Sequence, residues 1–306
     1  QLKKWIVCGI NQKIKINLGF MSFFIGSTAF FLLVLNTLFW CVFLLTLAIL
    51  KIIFPLESWK IFCTKWIIYL GECWIACNGI WIRILHNPTW MVTGLESLNK
   101  DDWYLATSNH QSWADIFILQ GITNRKIPML KFFMKDILIW VPVIGLAWWA
   151  LDMPFLKRYS KEQLRKNPEL RGRDIEEMKK SFKRFARYPV SIFSFAEGTR
   201  YSDEKHLVQK SPFPKLLKPK MGGIGLTLST MPHISRFLDF TISYKSKHRT
   251  FWDFLCGKMS HVDIHVKIID LPEDIKGKDY LDDSSYRSKL KVWIHELWRE
   301  KEKYLK

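Results

Sequence analysis

A chain of 306 residues is long enough to bury a sizeable core, as one large domain or as a domain with an appendage. Its formal net charge of +18 is more than a soluble enzyme ordinarily needs, and points to an anionic partner: nucleic acid, anionic lipid or a phosphorylated substrate. The six cysteines form no C-x-x-C pair and have no neighbouring histidine pair, which argues against a zinc module and for reduced thiols.

Lys3, Lys4, Lys13 and Lys15 precede Ile16 to Leu50, a stretch with no formal charge, and Lys51 closes it. An uncharged run of this length marks a membrane segment, and it is too long for a cleaved signal peptide. As one straight helix it would measure ~52 Å, whereas a hydrocarbon core of about 30 Å needs only about 20 residues. It is therefore too long for one upright span and too short for two. Asn36-Thr37 interrupts it near the middle and lysines flank both ends. The expectation is a re-entrant pair of short helices with both ends cytoplasmic; a single tilted span is the alternative. Trp66 to Ile82 is apolar but carries Glu72 and four large aromatics, which suits an interfacial helix or a core helix. Asn87-Pro88 then breaks the pattern. This divides the chain into a membrane-anchoring helical region, 1–65, and an α/β domain, 66–306, with 66–88 as its interfacial helix.

Beyond Pro88 the pattern becomes that of alternating strands and helices. Trp90 to Thr93 and Trp103 to Thr107 read as strands, and Pro128 to Lys135 as a strand or helix. Trp140 to Trp149 is apolar and broken by Pro142 and Gly145. Lys157 to Arg173 is basic, either a solvated face or a platform for lipid headgroups and donor phosphates. Asp174 caps an expected helix whose apolar face is Ile175, Met178, Phe182 and Phe185. Val190 to Phe195 is another strand, followed by a proline- and lysine-rich loop at Ser211 to Lys220. Gly222, Gly223 and Gly225 do not spell a nucleotide-binding loop and read as close helix packing. Phe237 to Tyr244 and His261 to Leu271 alternate as strands, and the chain closes in a helix with Leu290, Trp293, Leu297 and Trp298 inward. His261, Asp263 and His265 share one strand face; with no further ligand evident they read as an exposed face, and no metal is expected.

Two stretches carry candidate chemistry. In Ser108 to Asp115, His110 falls in a strand-to-helix turn and Asp115 in the first turn of the following helix. A carboxylate on one imidazole nitrogen fixes the tautomer and leaves the other nitrogen free to take a proton. Ser112 to Asp115 also fits a capping box, which would make Asp115 a structural residue. In Phe195 to Arg200, Arg200 can grip a phosphate bidentately, Gly198 lets backbone approach a ligand, Glu197 can accept from a hydroxyl and Thr199 can donate. There is no G-x-S-x-G and no cysteine beside a candidate base, which disfavours an acyl-enzyme.

Together these stretches resemble the glycerolipid acyltransferase family. N-H-x-x-x-x-D is met by Asn109, His110 and Asp115, and F-P-E-G-T-R by Phe195 and Glu197 to Arg200, with Ala196 in place of the proline. The K-D-I-L-I-W-V-P-V-I-G run from Lys135 and the L-K-R ending at Arg158 look like the signature between them. The surrounding wording, W-A-L-D-M-P-F-L-K-R-Y-S, is most similar to the bacterial inner-membrane branch. Leu238 to Tyr244 lacks the proline of the fourth signature.

The resemblance implies a mixed sheet flanked by helices, His110 as general base oriented by Asp115, and Arg200 on the acceptor phosphate, with Lys135 and Arg158 as further phosphate contacts. It implies transfer from acyl-CoA or acyl-carrier protein to a lysophospholipid, at the sn-2 hydroxyl of lysophosphatidic acid or on lysophosphatidylglycerol or a lysocardiolipin. No cofactor is expected beyond the donor. The expected partner is the bilayer of a bacterial inner membrane, with the catalytic domain on its cytoplasmic side. The rival class is a non-catalytic basic protein of the membrane surface; the uncharged stretch argues against a nucleic-acid binder.

Overall fold

The computed structural model describes residues 2–156, 161–167, 176, 179, 182, 185 and 188–305. Two long helices open the chain, α1 (Leu2–Ile53) and α2 (Glu57–His86). Pro55 separates them by pushing the residue before it out of helical conformation. At its far end α2 stops on Asn87, which takes a left-handed conformation (φ 41°, ψ 58°) ahead of Pro88.

The expected re-entrant turn is not there. Helix α1 runs unbroken through Asn36 and Thr37. The polar groups that seemed to require a turn are satisfied otherwise. The Asn36 amide donates to the Trp74 carbonyl (3.1 Å) and to Asn78 Oδ1 (2.8 Å), across the α1–α2 contact. Thr37 donates back to the Leu33 carbonyl (2.7 Å). The reversal lies instead at residues 54–56. Residue 65, taken as the end of the anchoring region, falls inside α2. Both helices are apolar and long enough to cross a membrane. The inward face of α1 is small or aliphatic (Ala29, Cys41, Leu44, Ala48), whereas Phe20, Phe24, Phe31 and Phe39 point outward.

The remaining strands are β1 (Thr89–Thr93), β2 (Tyr104–Ser108), β3 (Leu130–Phe132), β4 (Met134–Lys135), β5 (Phe155–Leu156), β6 (Ser191–Phe195), β7 (Arg236–Tyr244) and β8 (His261–Asp270). Six of them form one sheet in the order β1-β8-β7-β2-β6-β3, all neighbours parallel except β7 and β8. Strands β4 and β5 pair separately. Helices α3 (Ala114–Thr123), α4 (Ile144–Ala150), α5 (Lys161–Lys166), α6 (Asp203–Gln209), α7 (Gly222–Thr230), α8 (Phe251–Leu255) and α9 (Ser284–Glu302) accompany them, with a short 3-10 helix at Asp136–Trp140.

The alternation of side chains along the strands builds two cores. Ala106, Leu238, Phe240 and Ile242 face a cluster with α1, α2 and α3; Leu105, Ile192 and Phe237 face a second one with α7 and α9. Phe182 and Phe185, the described apolar positions of the expected helix after Asp174, are helical and buried in the second core. Leu290, Leu297 and Trp298 of α9 are buried there too. Of the three glycines read as close packing, Gly225 fits, a Cβ there lying 2.1 Å from the Tyr280 ring, whereas Gly222 has nothing within 4 Å. On the outer strands, His265 bonds Thr93 Oγ1 through Nδ1 (3.0 Å) and stacks on Tyr304, while His261 on the same face is exposed.

One ion pair penetrates the sheet. Lys301 of α9 and Asp239 at the middle of β7 are both buried, Nζ to Oδ1 at 2.6 Å, and Nζ also donates to the Phe240 carbonyl (2.6 Å). Burial pushes the carboxyl up and the ammonium down, and their attraction opposes both shifts.

Candidate active site

Register places the two candidate loops side by side. Ser108, the last residue of β2, lies opposite Phe195, the last residue of β6, and opposite Phe240 of β7. The two loops therefore leave the sheet at its carboxyl-terminal edge, where ligands of parallel sheets bind. Asn109 ends β2 by imitating a strand residue: its amide donates to the Ile242 carbonyl (2.9 Å) and accepts from the Ile242 N–H (2.8 Å). With the backbone pinned there, His110 starts the turn.

Asp115 is fully buried and gathers four donors. Its Oδ2 accepts from His110 Nδ1 (2.8 Å), the Gln111 N–H (2.7 Å) and the Ser112 N–H (3.0 Å). Its Oδ1 accepts from the Tyr244 hydroxyl at 2.5 Å. Burial, and then the neighbouring Asp115 charge, push Tyr244 well above the usual phenol range, so it remains a donor. The carboxylate thus partners the imidazole and also accepts from the Ser112 N–H, but the reciprocal half of a capping box, Ser112 Oγ accepting from the Asp115 N–H, is not formed. The helix itself begins at Ala114, one residue later than the sequence placed it, and Ser112 Oγ accepts from the Ala114 N–H (3.2 Å).

The imidazole stacks on Phe195 at 3.8 Å between centroids and 15° between planes. Phe195 in turn packs against Phe132 and Phe193. With Nδ1 engaged by Asp115, Nε2 has no hydrogen-bond partner among the described residues. The site thus presents a fixed, half-buried imidazole with one open nitrogen beside an apolar aromatic wall.

The second loop is tied to the first. The Tyr201 N–H donates to the His110 carbonyl (2.7 Å). Arg200 is exposed, its guanidinium 5.2 Å from the ring of Trp113, three residues beyond His110. Gly198 holds φ +69° and lies against Lys220, whose side-chain nitrogen would be 3.0 Å from an added Cβ. Thr199 Oγ1 accepts from Lys205 (3.0 Å).

Glu197 differs from its expected role. It is fully buried, and its two oxygens accept from the main-chain N–H groups of His110 (3.2 Å) and Leu217 (3.2 Å). The turn at Phe195-Gly198 folds the side chain under both loops, where it anchors the His110 turn from below. Burial pushes its carboxyl up to about 8, against the pull of those two donors. Lys135 is exposed at the end of β4, opposite Leu156. Arg158 lies outside the described residues, as does most of the basic segment and of the helix expected after Asp174. Among the described residues no group of three or more His, Cys, Asp or Glu is placed to hold a metal.

Sequence reasoning missed Tyr244, Gln111 and Arg249. Ser112 Oγ donates to the Arg249 carbonyl (2.8 Å), and Arg249 Nη1 donates to Gln111 Oε1 (2.6 Å), clamping the 245–250 loop onto the His110 turn. Only the position of Tyr244 at the end of an alternating strand hinted at this.

Residues 90–235, which hold both loops, match the family model described as Acyltransferase. Over this stretch, just under half of its length, the chain is similar to the acyltransferase family. Among its curated relatives are the 1-acyl-sn-glycerol-3-phosphate acyltransferases delta of Bos taurus and Homo sapiens, each 28% identical over 186 residues, covering 57% of this chain and 44% of theirs. The gamma enzyme of Mus musculus is 26% identical over 184 residues, 56% of this chain and 44% of its own. The chain therefore spans less than half the length of the curated relatives it matches. The fold is shared with the 1-acyl-sn-glycerophosphate acyltransferase of Thermotoga maritima: TM-score 0.51 at 18% identity, covering 92% of this chain and 97% of that one.

Proposed function

We propose that this chain is an acyltransferase that moves a fatty acyl chain from a thioester donor, acyl-CoA or acyl-carrier protein, to the free hydroxyl of a lysophospholipid. Lysophosphatidic acid acylated at sn-2 is the first candidate acceptor. The observation that carries this reading is the His110 Nδ1 to Asp115 Oδ2 contact of 2.8 Å, which leaves Nε2 open at the sheet edge.

The chemistry follows from that geometry. Nε2 takes the hydroxyl proton as the acceptor oxygen attacks the thioester carbonyl, and Asp115 balances the imidazolium that forms. The tetrahedral intermediate collapses to the new ester and expels the thiolate, which takes the proton back from His110. No acyl-enzyme is needed. Arg200, fixed over Trp113, supplies a planar fork for the acceptor phosphate. The Phe195, Phe193 and Phe132 wall gives the acyl chain an apolar side to lie against. Thr199 and Gly198 shape the loop, and Glu197 fixes it from beneath. Lys135 and Arg158 stay as further phosphate contacts on the strength of the signature they match.

The outward apolar face of α1 supports attachment to a bilayer, since exposed apolar surface of this extent is otherwise a liability. The lysine distribution and the wording near residue 150 support a bacterial inner membrane, with the catalytic part on the cytoplasmic side. The test is a panel of lysophosphatidic acid, lysophosphatidylglycerol and lysocardiolipin against acyl-CoA and acyl-carrier protein, using purified protein. Transfer to lysophosphatidic acid above the others supports the reading. Transfer to another lysolipid alone moves the acceptor, and no transfer from any pair favours a non-catalytic membrane protein.

A further inference from the structure

A second polar recess lies beside the His110 turn, on the other face of the sheet. Along β7 neighbouring side chains point to opposite faces. Tyr244 reaches Asp115, so Ser243 faces away from the dyad. There Ser243, Gln111, Tyr201, Lys215, Arg249 and Leu305 enclose a recess of about 220 Å³. It opens between the loop before α7, the loop after β7 and the end of α9, at the carboxyl-terminal edge of the parallel strands.

Its chemistry is cationic and donor-rich. Arg249 spends Nε on the Ser246 carbonyl (3.2 Å) and Nη1 on Gln111 Oε1 (2.6 Å), and Nη2 has no partner among the described residues. Lys215 spends one ammonium hydrogen on the Leu305 carbonyl (2.7 Å). Two carboxylates lie nearby and keep their charge, Asp203 accepting from the Tyr201 hydroxyl (3.1 Å) and Glu302 from the Lys215 N–H (2.9 Å), but neither lines the recess, whose charged lining groups are Lys215 and Arg249. Lys245, Lys247 and His248 flank Arg249 in sequence, and Lys218 follows Lys215, adding a positive field around the mouth. A guanidinium fixed on one edge, with an ammonium lining the same recess, is a donor set that can grip a phosphate.

We infer that this recess is a second anion subsite, separate from Arg200, that binds a phosphate group of one of the two substrates. It rests on the proposed acyltransferase reading only for which substrate brings the anion. Both sources carry the same chemistry: the phosphates of the donor's phosphopantetheine arm, or the headgroup phosphate of the acceptor lysolipid. Gln111 links the recess to catalysis. Its side chain holds Arg249, and its N–H donates to Asp115 (2.7 Å), so an occupied recess stiffens the turn that carries His110.

The test compares the full-length wild type with Lys215→Glu, a reversal at an exposed position, and with Arg249→Lys, which keeps charge and loses the fork. Each is assayed with acyl-CoA against an acyl-pantetheine that lacks phosphate, and with lysophosphatidic acid against a monoacylglycerol. Lys215→Glu should raise KM roughly ten-fold or more for the phosphate-bearing member of one pair, and leave its phosphate-free counterpart unchanged. Arg249→Lys should raise it less. A selective effect in the donor pair assigns the recess to the donor, and one in the acceptor pair assigns it to the acceptor. Equal effects on phosphate-bearing and phosphate-free substrates, or no effect on any, would overturn the inference. Should the wild type transfer no acyl group at all, titration with inorganic phosphate and with CoA still decides. Saturable binding weakened by Lys215→Glu upholds the subsite, and unchanged or absent binding removes it.

Discussion

Replacing Asp115 by Asn separates its two structural tasks. The carboxylate accepts three hydrogen bonds on Oδ2 and one on Oδ1. An asparagine can keep the three only by placing its oxygen at the Oδ2 position. Its amino group then faces Tyr244, whose hydroxyl can turn to accept. The turn therefore survives, but four charge-assisted bonds become neutral ones. At about 1 kcal/mol lost for each, the variant should be destabilised by roughly 4 kcal/mol at most. Catalysis should suffer more, because the negative charge that balances the imidazolium is gone. Turnover should fall by ~10²–10⁴-fold, the usual range for disabling a general base. Tyr244→Phe is the companion variant. It deletes one donor to Asp115, leaves the His110 contact, and should cost about 1–2 kcal/mol with turnover within several-fold of wild type. Thermal melting gives the stabilities, and kcat at saturating donor and acceptor gives the rates. An Asp115→Asn protein that is folded and turns over at nearly the wild-type rate would reduce Asp115 to a helix cap and refute the reasoning.

Three further expectations follow from individual contacts. Arg200→Lys keeps the charge over Trp113 but loses the planar fork, so acceptor KM should rise with donor KM unchanged; the reverse pattern would move Arg200 to the donor. Glu197 carries a carboxyl raised to about 8 in the folded protein against about 4.5 unfolded. The folded state therefore holds this proton more tightly, and the contribution of Glu197 to stability is full below about 4.5 and is lost as pH rises toward 8, by an amount of order a few kcal/mol. Chemical denaturation across that range should show the slope in wild type and not in Glu197→Gln, and parallel slopes would contradict it. Lys301→Met leaves Asp239 buried without its cation and should cost about 3–5 kcal/mol in denaturant unfolding, whereas a loss below 1 kcal/mol would mean water or another group compensates.

What was legible in the sequence is what local pattern encodes. The His110 turn could be read because the strand, the turn residues and Asp115 lie within a dozen positions. The strands at 190–195, 237–244 and 261–271 could be read because their residues alternate or run apolar. What could not be read depends on partners far along the chain. Tyr244 reaches Asp115 across 129 positions and Arg249 reaches Gln111 across 138, and no local pattern announces either. Asn36 looked like a break because its partner Asn78 belongs to another helix. Glu197 looked like a ligand residue because a carboxylate in a glycine turn usually faces solvent; here two main-chain donors draw it inside.

The central claim is that the open nitrogen of His110 takes the proton from the acceptor hydroxyl. Its most direct test is steady-state acyl transfer by His110→Ala protein beside wild type, with lysolipid binding measured on the same samples. The account predicts turnover reduced by at least ~10²-fold, with folding and lysolipid binding retained. Turnover close to wild type in a folded His110→Ala protein would contradict it.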